Sequence, residues 1–127
     1  MTEDFVSFEL AKKLKEKGYN KPFYFYYRTD DQHIHHVTNA YPLIYSDKID
    51  DEVIIAPAIS QVLKWLREEK KIHIMIAIYS HYPQGNHDWG YEVINLQTHT
   101  CEYFTYEYSS YEAAAIAGIE YVIDNLI

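Results

Sequence analysis

Apolar positions recur along this chain with two different periods, and the changes of period mark its elements. Over residues 3–17, Phe8, Leu10, Ala11 and Leu14 share one face while Glu9, Lys12, Lys13 and Glu16 lie opposite. That spacing predicts an amphipathic helix. Thr2 is placed to cap its start and Gly18 to stop it as the C′ residue. After Pro22 comes Phe23-Tyr24-Phe25-Tyr26-Tyr27, an aromatic run of strand character. Thr29-Asp30-Asp31-Gln32 reads as a turn, and 33–38 as the returning strand. Residues 39–57 carry Asn39, Pro42, Ser46, Asp47, Asp50, Asp51 and Pro57 and predict a long loop, with a short strand at Val53–Ile55.

The second helix is predicted over 58–70, where Ile59, Val62, Leu63, Trp65 and Leu66 form one stripe behind Pro57. The clearest strand follows at Ile72–Tyr79. Ile72, Ile74, Ile76 and Ile78 alternate with His73, Met75, Ala77 and Tyr79. A loop at Ser80–Asp88, a strand at Trp89–Leu96, a turn at Gln97–Thr100 and a strand at Cys101–Tyr108 complete the extended region. Ser109 and Glu112 have capping-box spacing at the head of the last helix. In that helix Ile116, Ile119, Ile123 and Leu126 recur on the side expected to be buried.

The expected architecture is α+β, two-layered, in one domain spanning 1–127. Its order is α-β-β-α-β-β-β-α, a mainly antiparallel sheet with helices packed on one face. Isoleucines then face the helices. The reverse of the sheet gathers Met75, Ala77, Tyr79, Tyr91, Val93, Tyr103 and Thr105. A face of that composition suits a binding patch, a homodimer seam or a second buried layer. The expected interaction surface is Met75, Tyr79, Tyr91, Val93, Tyr103 and Thr105.

Composition narrows the partners. The chain has 127 residues, 14 of them Tyr, and a formal net charge of −8. Such a field repels phosphate backbones and favours a basic protein partner over nucleic acid. Cys101 is the single cysteine, so no internal disulfide forms, which fits a reducing cytoplasmic compartment. No apolar run approaches a membrane span, and Met1-Thr2-Glu3-Asp4 does not read as a signal peptide.

Some motifs invite chemistry. Gly85-Asn86-His87-Asp88, with Asp31-Gln32-His33, matches fragments of the calcineurin-like metallophosphatase signature. That chemistry needs further metal ligands, including a Gly-Asp motif, and no Gly-Asp pair occurs. His33 and His35 fall on one side of a strand, so His33, His35 and His87 form the candidate metal set, with His73 and His99 as unplaced alternatives. The Asp47–Glu52 run lacks the glycine and ligand spacing of a calcium loop. Ser80 and His81 are adjacent and point apart on an extended chain. Glu102 and Glu107 oppose a thiolate at Cys101. No catalytic constellation and no cofactor motif emerges.

Glu9-Leu10-Ala11-Lys12-Lys13-Leu14-Lys15 with Gly18-Tyr19 resembles the opening of a family of short uncharacterised proteins. These are common in gut Bacteroidetes and their phages and mobile elements. The resemblance continues at Ala56-Pro57, Gln61-Val62, Trp65-Leu66-Arg67-Glu68 and Tyr111-Glu112-Ala113, leaving 29–55 unmatched. Ala58 stands where that family carries a hydroxyl residue. The resemblance implies a bacterial or phage setting and no activity. The resulting expectation is a non-enzymatic interaction or accessory protein of a phage or mobile element, one version being an acidic mimic of nucleic acid. The alternatives are a metal-dependent hydrolase and a binder of duplex RNA. The last rests on the helix–three strands–helix order of 58–127, which is that of a double-stranded-RNA-binding domain.

Overall fold

The computed structural model describes residues 4–38, 41–45, 52–81 and 86–127, with the side chains at 80, 81, 86 and 87 excepted. Thr2, Asp47–Asp51, Gly85 and parts of the two predicted loops lie outside the described residues. The chain divides into two compact units, Met1–Ala58 and Ile59–Ile127. The fold is α+β, as the patterning predicts, but its strands form two antiparallel three-stranded sheets rather than one. Val53–Ile55, foreseen as a short strand within a loop, is a full partner in the first sheet.

In the first unit, α1 spans Phe8–Glu16, starting later than the periodicity suggests. The reason is competition from extended pairing. Phe5 bridges Ala58, and the Val6 N–H donates to the Pro57 carbonyl at 3.1 Å. Helical bonding then begins at Ser7, whose Oγ accepts the Leu10 N–H. Leu10, Ala11 and Leu14 are buried. The helix ends where the sequence predicts, in a Schellman motif. Gly18 adopts φ 92°, its N–H donates to the Lys15 carbonyl, and the Tyr19 N–H reaches back to Leu14. Leu14 and Tyr19 are both buried.

The first sheet has the order β2-β1-β3, with β1 at Phe25–Arg28, β2 at Ile34–His36 and β3 at Val53–Ile55. Tyr26 pairs with His35 on one side and with Ile55 on the other. Phe23 and Leu43 exchange two backbone hydrogen bonds, which diverts the aromatic run and delays β1 to Phe25. Tyr27 is buried and its hydroxyl donates to the Val6 carbonyl at 2.6 Å, so its polar tip is satisfied.

The second unit has the helix–three strands–helix order. Helix α2 spans Ile59–Glu69 and buries Ile59, Val62, Trp65 and Leu66. Strands β4 (Ile72–His81), β5 (Asn86–Asn95) and β6 (Thr100–Tyr108) form a meander. Both β4 and β5 extend into the predicted Ser80–Asp88 loop, pairing as far as His81 with Asn86. The β5–β6 turn is built by Asn95, whose side chain accepts the Gln97 and Thr98 N–H groups.

Helix α3, Tyr111–Asn125, packs against all three strands. Its buried residues are Ala114, Ala115, Gly118, Ile119, Val122 and Ile123. Ile116 is only half-buried, and Leu126 is exposed beyond the last turn, so the expected stripe is rotated toward the small residues. Gly118 explains the rotation. A Cβ there would lie 2.9 Å from Ile74 Cγ2 and 3.1 Å from Tyr91 Cγ, so the glycine lets helix and sheet approach closely.

The cap of α3 also differs from expectation. Ser110, not Ser109, is the N-cap, and its Oγ accepts the Ala113 N–H. The Ser109–Glu112 box does not form, because the helix starts one residue later and Glu112 falls at N2. Ser110→Ala should therefore cost about 1 kcal/mol, while Ser109→Ala should leave stability nearly unchanged. Urea unfolding of the two variants checks this.

Candidate functional site

Residues paired across an antiparallel sheet project from the same face. In the second sheet the pairing runs Ile74–Val93–Tyr103 and Ile76–Tyr91–Thr105. Tyr91, Val93, Tyr103 and Thr105 therefore share the isoleucine face, on which α3 packs. This corrects the expected interaction surface, which grouped them with Met75 and Tyr79. Alternation within β4 and β5 is as predicted, and β6 keeps it from Tyr103 to Tyr106 between two register shifts. The phase between strands is not, because a one-residue shift of register exchanges faces. Tyr91 is 3% exposed and Val93 0%. Ile72 and Ile74 are buried, Ile76 is half-buried, and Ile78, toward the end of β4, is exposed.

The tyrosines on the helix side form a packed cluster. Tyr103 stacks on Tyr121 of α3 with ring centroids 4.3 Å apart and planes 10° from parallel. Tyr91 stacks on Tyr108 at 6.0 Å. Burial pushes the Tyr91 phenol well above its ordinary range, aided by the neighbouring Tyr108 and Tyr103 phenols. Of these rings Tyr91 is buried, Tyr108 and Tyr121 are half-buried, and Tyr103 is 40% exposed at the edge of the cluster.

The opposite face carries Met75, Ala77 and Tyr79 from β4, Asp88, Gly90 and Glu92 from β5, and Phe104 and Tyr106 from β6. Met75 pairs with Glu92, which pairs with Phe104; Ala77 pairs with Gly90, which pairs with Tyr106; Tyr79 pairs with Asp88. Phe104 is 63% exposed, Tyr79 54% and Met75 38%. At the centre is Gly90. A Cβ there would lie 2.2 Å from the Thr105 carbonyl oxygen, 2.3 Å from Tyr106 Cδ1 and 2.6 Å from its Cγ, so backbone and phenol ring together occupy the space a side chain would take. The ring lies across the glycine, and its hydroxyl donates to Glu92 Oε1 at 2.7 Å. That bond to a carboxylate pushes the Tyr106 phenol up. Tyr79 and Phe104 flank it, with ring centroids 5.8 and 6.5 Å from that of Tyr106.

Charge is divided unevenly along the chain. Every Lys and Arg lies at or before Lys71, and residues 72–127 contain seven Asp and Glu. All three strands of this sheet, and α3, are therefore without a cationic Lys or Arg. This signal is legible in the sequence without coordinates, and net charge alone conceals it. Phe104, Tyr106 and Glu92 are the face residues that strand patterning misses.

The histidine motif resolves differently. In the first unit His35 Nε2 lies 2.8 Å from Asp31 Oδ2, and its ring stacks on Tyr26 at 5.4 Å. Asp31 also accepts the His33 N–H, which with His35 holds its carboxyl below the usual range. Asp31 thus closes the β1–β2 turn, and His36 packs edge-on against Phe25. The backbone of His87 lies in β5, and its side chain is outside the described residues. Among the described residues no group of three or more His, Cys, Asp or Glu side chains is placed to hold a metal ion. Cys101 is exposed on β6, and its thiol donates to the Tyr103 carbonyl at 3.6 Å.

Two outcomes follow from the face assignment. Ile74→Ala should cost about 2–5 kcal/mol, and Phe104→Ser should stay within about 0.5 kcal/mol of the parent, both read from urea midpoints. The raised Tyr91 phenol favours the native state in full below the ordinary value of 10.0, and the contribution is lost as pH rises above it. Tyr91→Phe should lose less stability on alkaline titration, as followed by circular dichroism. In comparisons with family models, curated proteins and solved structures, nothing matches this chain.

Proposed function

We propose that this chain is a non-enzymatic interaction protein whose open β4-β5-β6 face engages a basic protein partner. The observation that carries this reading is the coincidence of exposed Met75, Tyr79 and Phe104 with Glu92 and Asp88, in a stretch of 56 residues without Lys or Arg. Apolar rings supply desolvation area, and a single sign of charge steers oppositely charged surfaces and rejects like ones. A second copy of the chain suits the face less well, because two such surfaces would set carboxylates against carboxylates. The resemblance described above supports a role as an accessory factor of a phage or mobile element in the bacterial cytoplasm. No helix among the described residues is long and apolar enough to cross a membrane.

The same charge distribution speaks against duplex RNA. The helix–three strands–helix order is present, but shared order does not carry activity. Helix α3 opens on Tyr111-Glu112, and phosphate contacts require cations there. The hydrolase reading finds no support in the Asp31–His35 pair, which closes a turn.

A panel of displayed random decapeptides selected on the full chain tests the proposal. Selected peptides should be enriched in Arg and Lys, should bind more weakly as salt rises, and should be lost on the charge-neutral double substitution Met75→Ser, Phe104→Ser. Selection without charge bias, or binding indifferent to that double variant, would contradict it.

A further inference from the structure

We propose that the centre of this face is an arginine-recognition site, in which a partner's guanidinium lies over the Tyr106 ring and bonds to Glu92. This deepens the interaction reading and rests on it. Gly90 has no side chain, and Tyr106 Cδ1 and Cγ, with the Thr105 carbonyl, fill the space that a Cβ would take, so the Tyr106 ring covers the glycine on the open face. Aromatic faces carry partial negative charge and attract cations placed over them. Tyr79 and Phe104 stand on either side, tilted 46° and 53° to the Tyr106 plane, and so wall an open trough rather than a closed box. A trough admits a planar group lying parallel to its floor.

The carboxylate of Glu92 sits at the rim of that floor, held by the Tyr106 hydroxyl at 2.7 Å. A carboxylate has about four lone-pair sites, and Tyr106 uses one. A guanidinium stacked on the ring presents its N–H fork in its own plane, toward the rim. It therefore meets Glu92 edge-on while its face covers the phenol. Guanidinium stacks on rings and forks to carboxylates, whereas a lysine ammonium is a compact, strongly hydrated point charge that does neither. Asp88, paired with Tyr79, adds negative potential at the trough's far end.

The test is an NMR titration of the full chain with a blocked Gly-Arg-Gly-Arg-Gly peptide at low ionic strength. Peptides with lysine or norleucine replacing both arginines serve as controls. The arginine peptide should shift resonances of Tyr79, Glu92, Phe104 and Tyr106. The lysine peptide should bind more weakly and the norleucine peptide not at all. Glu92→Gln keeps an acceptor for Tyr106 and the size of the side chain, so the fold is expected to persist by circular dichroism, yet binding should weaken at least about tenfold. Phe104→Ala, at an exposed position, should weaken it severalfold. Equal affinity for the arginine and lysine peptides would overturn the guanidinium assignment. Shifts confined to Met75 and other residues of the open face, unchanged by Glu92→Gln, would overturn this site and leave the interaction face standing. Shifts only outside the β4-β5-β6 face, or none, would overturn both.

Discussion

The register between β4, β5 and β6 is the constraint on which the rest depends. Pairing Ile76 with Tyr91, and Tyr91 with Thr105, commits one row of side chains to α3 and the next to the open side. Gly118 then allows α3 to settle onto Ile74 and Tyr91, and the helix locks the register in turn. With that choice made, Gly90 falls on the open face beside Tyr106, and Met75, Glu92 and Phe104 fall into one row. Slipping β5 by one residue would bury Glu92 under a helix, at the cost of desolvating a carboxylate. The buried row and the exposed row are therefore one choice seen from two sides.

Two glycines do opposite jobs in this arrangement. Gly118 removes a side chain so that a helix can come close, and the result is core. Gly90 removes one so that the Thr105 carbonyl and the Tyr106 ring can close over it, on the face away from the helix. Tyrosine is used in the same divided way. Tyr91, Tyr103, Tyr108 and Tyr121 pack among themselves on the helix side, where burial keeps Tyr91 neutral. Tyr79 and Tyr106 stand on the open side, where a phenol can face solvent or a cation. Within this sheet and its helix, tyrosine thus serves two separate roles.

Much of the fold was legible because its signals are local. The three helices follow from apolar spacing, Gly18 from the need for a left-handed residue at a helix end, and β4 from strict isoleucine alternation. The failures all concern information that no single segment holds. Ser109 and Ser110 are adjacent and chemically equivalent caps, and tertiary packing of α3 selects between them. Whether Val53–Ile55 joins a sheet depends on β1, some 25 residues away. The open face was legible in part: Met75 and Tyr79 lie on it as patterning predicts, while Tyr91, Val93, Tyr103 and Thr105 lie on the helix-backed face instead. Alternation gives the period of each strand but not the phase between strands, which the turns and the bulges beside Gly90 and Ile94 set. The absence of Lys and Arg after position 71 was available throughout and points to the same sheet.

Backbone-proton Overhauser contacts of Glu92 test the central claim most directly. Direct pair contacts, Hα–Hα on one side and HN–HN on the other, are expected between Glu92 and its partners Met75 and Phe104. The same pair contacts made instead to Ile74 or Ile76, and to Tyr103 or Thr105, would place the register one residue away and contradict it.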